Sequence, residues 1–72
     1  MMTRKELFES KYYTSHPISK IVVAVKLPTG ATEIIVNTED IQGKFNYYLS
    51  AYNDDLKLNN NPMVEIIDYM FV

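Results

Sequence analysis

His16, with Ser15 and Ser19 close by in the chain, is the only place where an imidazole stands near hydroxyls it could activate as nucleophiles. Nucleophilic catalysis needs groups that converge on one another from a rigid frame. These three are near neighbours in one segment interrupted by Pro17, so the expectation is a solvated loop histidine. Two carboxylate pairs, Glu39-Asp40 and Asp54-Asp55, could serve as acid and base or hold a cation. They fall at opposite ends of one predicted helix of about 15 residues, roughly 20 Å apart at 1.5 Å per residue, too far to share a substrate. The first pair suits the positive end of the helix dipole. The second has no such role and is the better candidate for contact with a basic partner surface. With no cysteine, one histidine and only Gly30 and Gly43 as glycines, neither a metal site nor a glycine-rich phosphate loop is expected, and no cofactor. No constellation points to an enzyme.

Six tyrosines raise the question of base stacking, since single-strand binders interleave aromatic and basic side chains. Tyr48 and Tyr52 fall on the apolar stripe of the predicted helix and Tyr69 in a predicted strand, which leaves Tyr12, Tyr13 and Tyr47 free. Lys11, Tyr12 and Tyr13, with Lys20 and Lys26, make a nucleic-acid surface the sequence could offer, ranked behind a protein partner. Tyr47 lies well off the apolar stripe, on the same side of the helix as Gly43 and Ala51 at four-residue spacing. A glycine costs about 1 kcal/mol inside a helix relative to alanine. Gly43 beside Lys44 and Tyr47 would let another backbone approach, and tyrosine is enriched where interfaces concentrate their energy. Gly43, Lys44, Tyr47, Ala51, Asp54 and Asp55 are therefore the expected protein-interaction residues.

The elements that position these groups follow from pattern. Thr3 and Glu6 form a capping box that opens a short helix from Arg4 to about Tyr12, ending before His16-Pro17. Ile18 to Leu27, rich in β-branched residues and bounded by Pro17 and Pro28, is a strand with Ile21, Val23, Val25 and Leu27 on one face. Pro28-Thr29-Gly30-Ala31 turns the chain into a second strand, Thr32 to Val36, completing a hairpin. Thr38 is the expected N-cap of the main helix, whose Ile41, Phe45, Tyr48, Leu49 and Tyr52 form one stripe and which stops near Asn53. Leu56 and Leu58 would pin the following loop, and Asn59-Asn60-Asn61-Pro62 is turn chemistry. Met63 to Val72 is a third strand, apolar on both faces: Met63, Ile67, Tyr69 and Phe71 on one, Val64, Ile66, Met70 and Val72 on the other.

This order predicts an α+β fold: a three-stranded, mainly antiparallel sheet in the order 2-1-3, one main helix across one face, and a short N-terminal helix. The alternative sets the third strand parallel to the second. One helix covers one face only, so Val22, Ala24 and half of the third strand need another cover. The N-terminal segment, with Leu7, Phe8, Tyr12 and Tyr13, could supply it, and so could a second chain. Seventy-two residues have room for one domain, 1–72. A chain this short buries only about 60% of its unfolded surface, and without cysteine or metal its remaining staple is association. A net charge of −2 is the wrong sign for a duplex binder. The longest apolar run, Ile21 to Val25, falls far short of the roughly 20 residues of a membrane span. The expected setting is cytoplasmic, with no membrane partner.

Short, cysteine-free and rich in Asn, Lys, Ile and Tyr, the chain resembles the small accessory proteins encoded by bacteriophages of low-GC bacteria. The resemblance is one of composition and transfers no site residue. It implies a protein acting on a host factor in the host cell cytoplasm. The function expected first is a non-enzymatic protein-binding module, a modulator or inhibitor. A self-assembling structural subunit, a homodimer included, and a single-stranded nucleic-acid binder are the alternatives.

Overall fold

The Thr3 hydroxyl accepts from the Glu6 N–H at 3.1 Å while Glu6 Oε1 accepts from the Thr3 N–H at 2.9 Å, the reciprocal cap that the sequence pattern predicts. In the computed structural model, which describes residues 1–72, this cap starts helix α1, Arg4–Thr14. The helix runs two residues past its expected end. The Thr14 and Ser15 hydroxyls donate to carbonyls of its last turn, Ser10 O at 3.0 Å and Lys11 O at 2.6 Å, before a cis His16-Pro17 bond.

Strands β1, Ile21–Lys26, and β2, Thr32–Asn37, form the predicted hairpin. The Gly30 N–H donates to Leu27 O at 2.9 Å and Gly30 has φ +91°. That positive φ closes a three-residue loop at no steric cost to glycine. Helix α2 spans Ile41–Ala51, then Tyr52 turns extended, one residue before the expected stop near Asn53. Strand β3, Lys57–Leu58, and strand β4, Asn61–Phe71, complete the chain. The sheet is antiparallel throughout, in the order β2-β1-β4-β3. The three long strands have the predicted order, and no strand is parallel. The two-residue β3 is an addition to the three strands expected.

Two corrections concern the faces of this sheet. First, the even and odd positions of β4 do not keep separate faces. Ala24 pairs with Asp68 and Val25 with Ile66, so Ile67 is an extra residue in the ladder. A bulge shifts the side-chain phase by one position. Ile66 therefore joins Tyr69 and Phe71 opposite Val25, Val23 and Ile21, while Ile67 is exposed. Second, α1 does not cover the second face. Its Phe8 and Tyr12 are buried against Phe45 of α2 and Phe71 of β4, on the same side as α2. Aromatic area explains the choice: the Tyr12 and Phe45 rings stack at 3.6 Å within 6° of parallel, and no comparable ring stands on the opposite face. The core is Phe8, Tyr12, Ile21, Val23, Val25, Phe45, Tyr48, Tyr52, Leu56 and Ile66.

The turn Asn53 to Leu56 ties the N-terminus of α1 down. Asn53 Oδ1 accepts from the N–H groups of Asp55 and Lys57 at 2.9 and 3.0 Å. This leaves Asp54 O for the Lys5 N–H at 3.1 Å and Asp55 O for Arg4 Nη1 at 3.0 Å. These bonds use the backbone carbonyls of Asp54 and Asp55, whose side chains stay exposed and take no part in them.

Candidate functional site

Neighbouring strands oppose residues that share a face. Val22 stands between Val36 and Met70, and Ala24 between Ile34 and Asp68. With both helices on the other side, this outer face carries an apolar strip that nothing in the chain covers. Ile34 is 61% exposed, Val36 53% and Met70 56%. Lys20 and Lys26 stand at its two ends by the same alternation. Sequence reading located Val22 and Ala24 as needing cover. It missed Ile34 and Val36, although the alternation of Thr32, Ile34 and Val36 on one side was open to it.

The residues expected to meet a protein partner are only partly together. Lys44 and Tyr47 are exposed, Tyr47 with its ring edge-on to Tyr48 at 5.4 Å. Ala51 is half-buried and packs against the core, and Asp54 and Asp55 lie in the exposed turn beyond the helix. Gly43 answers to its own helix cap. Asp40, not Thr38, is the N-cap of α2, in a left-handed conformation of φ 48°, and its Oδ1 accepts from the Gly43 N–H at 3.2 Å. That cap folds the carboxylate over position 43, where a Cβ would lie 2.6 Å from Asp40 Cγ.

Gly43→Ala is therefore expected to leave stability in thermal unfolding nearly unchanged, the loss of a cap of about 1 kcal/mol offsetting the similar gain that helix propensity offers. In an Asp40→Gly background the same change is expected to stabilise. An additive result in that double-mutant cycle would remove the steric account.

The Lys11, Tyr12, Tyr13, Lys20 and Lys26 set is also divided. Tyr12 is 2% exposed with its ring stacked in the core, contrary to its expected freedom, and it has no face to offer a base. Lys11 and Tyr13 stay exposed on α1, while Lys20 and Lys26 lie about 20 Å apart along a strand at 3.3 Å per residue.

His16 Nδ1 donates to Tyr12 O at 2.9 Å, closing the end of α1. The hydroxyls of Ser15 and Ser19 donate to Lys11 O and Val72 O, so neither is hydrogen-bonded to the imidazole. No three His, Asp or Glu side chains gather where they could hold a metal ion. No helix is long and apolar enough to cross a membrane. No family model, curated protein or solved structure matches this chain.

The tyrosine hydroxyls supply the electrostatics of the core. Burial raises the phenols of Tyr12, Tyr48, Tyr52 and Tyr69 above the usual 10.0, for Tyr48 against the opposing pull of the Asn37 amide that donates to its oxygen at 2.7 Å. A raised folded value means the neutral phenol is the form that fits. Its contribution is complete below pH 10.0 and is lost as pH rises through the higher folded values. Alkaline titration is expected to show phenolate absorbance and loss of circular dichroism rising together above that pH. Full ionisation of all six tyrosines with the fold intact would contradict this.

Proposed function

We propose that this chain is a non-enzymatic protein-binding module whose working surface is the bare outer face of the sheet, and that its partner is a host protein which it modulates or inhibits. One observation carries the reading: Ile34, Val36 and Met70 lie exposed around Val22 and Ala24 on a face that no element of the chain covers. Side chains of this kind stabilise an association by roughly 25 cal/mol per Å² of apolar surface removed from water. Contiguous apolar patches on small proteins mark interaction sites more often than scattered apolar residues do. The exposed Tyr47 and Lys44 on α2 are on the helical side of the sheet and form a separate, smaller candidate surface.

The test is affinity capture from a low-GC bacterial lysate with the wild-type chain, Met70→Lys and Tyr47→Ala. Met70 is 56% exposed, so the lysine should leave thermal stability within about 0.5 kcal/mol. The expected result is one or a few proteins retained by wild type and Tyr47→Ala and lost with Met70→Lys. The same proteins retained by Met70→Lys would remove the outer face as the surface, and their loss only with Tyr47→Ala would move it to α2.

A further inference from the structure

The two edges of the sheet are treated differently. At one edge, β3 covers only the first part of β4, where Pro62 stands, and the remainder is blunted three ways. The Ile67 bulge interrupts it. Arg4 Nη2 donates to Ile66 O at 2.7 Å, and Asp68 Oδ1 accepts the Tyr69 N–H at 2.9 Å. Proline, bulges and covering side chains are the devices that keep edge strands from pairing.

At the other edge, β2 has none of them. It reads Thr-Glu-Ile-Ile-Val-Asn, regular over all six residues, with no proline, lysine or bulge. The ladder phase fixes which of its groups are free. Lys20 and Val72 exchange both hydrogen bonds, at 3.1 and 3.0 Å. Even positions of β1 therefore face β4 and odd positions face β2. Ile21, Val23 and Val25 use Asn37, Ile35 and Glu33, and the N–H and C=O groups of Thr32, Ile34 and Val36 point away from the sheet.

We propose that β2 pairs antiparallel with β2 of a second copy of this chain, joining two four-stranded sheets into one of eight strands about a two-fold axis. Pairing centred on Ile35 sets Ile34 opposite the partner's Val36 and Glu33, the strand's only charge, opposite the partner's Asn37. No like charges meet. A two-fold contact is isologous and uses up the edge. With the opposite edge blunted, assembly closes at two copies and does not continue into a fibre. The axis stands normal to the sheet, so both outer faces lie on one side and the Ile34 and Val36 patches merge. A six-residue edge about 20 Å long buries less than the roughly 800 Å² per partner of a standard stable interface. The dimer is accordingly weak and concentration-dependent. This inference is independent of the host-partner reading, because it is measured on the purified chain alone.

Sedimentation equilibrium from micromolar to high micromolar concentration is the experiment, with amide exchange by NMR at both limits. The expected mass rises from 8.4 kDa to a plateau at twice that, and the Ile34 and Val36 amides gain protection while Tyr69 and Phe71 do not. Ile34→Lys and Val36→Pro, the latter removing an outward N–H, should each weaken dimerisation at least tenfold with Met70→Lys unchanged. A mass of 8.4 kDa throughout, growth beyond two copies, or dissociation by Met70→Lys with Val36→Pro still dimeric would overturn the proposal. Exchange on the wild-type chain decides the matter even where a variant does not fold.

Discussion

Phe8→Ala is expected to leave the protein largely unfolded at room temperature. Phe8 is fully buried, and its ring meets Tyr69 at 4.9 Å, Phe71 at 5.3 Å, Phe45 at 5.9 Å and Tyr48 at 6.1 Å. Like Tyr12 it joins rings of α2 to those of β4, and it meets two from each element where Tyr12 meets one. Removing such a ring from a close-packed core costs about 3–5 kcal/mol, through lost transfer energy and the cavity left behind. In a chain of this length a single hydrophobic core rarely supplies more than about 3–5 kcal/mol of net stability. The loss is therefore comparable with the whole. Urea unfolding followed by far-ultraviolet circular dichroism measures it. Leu7→Ala is the control: Leu7 is 47% exposed, and its truncation should cost well under 1 kcal/mol. If Phe8→Ala loses no more than Leu7→Ala, α1 is not part of the core.

How much of this was legible before the structure depended on whether the signal was local. The Thr3 capping box, the Gly30 turn and the stripe of Phe45, Tyr48 and Tyr52 rest on neighbours within a few residues, and each was readable. The sheet order of the long strands followed from the chirality and shortness of connections. Three features were not local. The Ile67 bulge was hidden because Met63 to Val72 carries four apolar side chains in either phase, and only pairing with β1 selects one. The side taken by α1 was decided by a ring stack between Tyr12 and Phe45, which are 33 positions apart. Gly43 looked like an opening for a partner because Asp40 gives no sequence sign of adopting a left-handed conformation. Among the interaction residues, the exposure of Tyr47 was read correctly from the helical wheel. The outer-face strip was only half seen, since Ile34 and Val36 acquire their meaning from what lies opposite them.

Leu56 carries the second large effect, and here glycine is expected to be no worse than alanine. Leu56 combines two properties that rarely coincide: 1% exposure and a left-handed backbone of φ 59°. A non-glycine residue there costs roughly 1–2 kcal/mol, which the burial of the side chain must offset. Leu56→Ala removes the offset and keeps the strain, for a loss of about 2–5 kcal/mol. Leu56→Gly loses slightly more burial but relieves the strain. In ordinary backbone, glycine is the poorer of the two by roughly 0.5–1 kcal/mol, so equal or reversed ranking in chemical denaturation is diagnostic of the left-handed turn. The damage should also spread. Leu56 O accepts the Ile66 N–H at 2.9 Å, and the same turn presents Asp54 O and Asp55 O to Lys5 and Arg4. Both variants are expected to raise amide exchange in the first turn of α1 more than in β2. Uniform exchange along the chain would mean that the turn does not hold the helix, and that α1 is kept in place by Phe8 and Tyr12 alone.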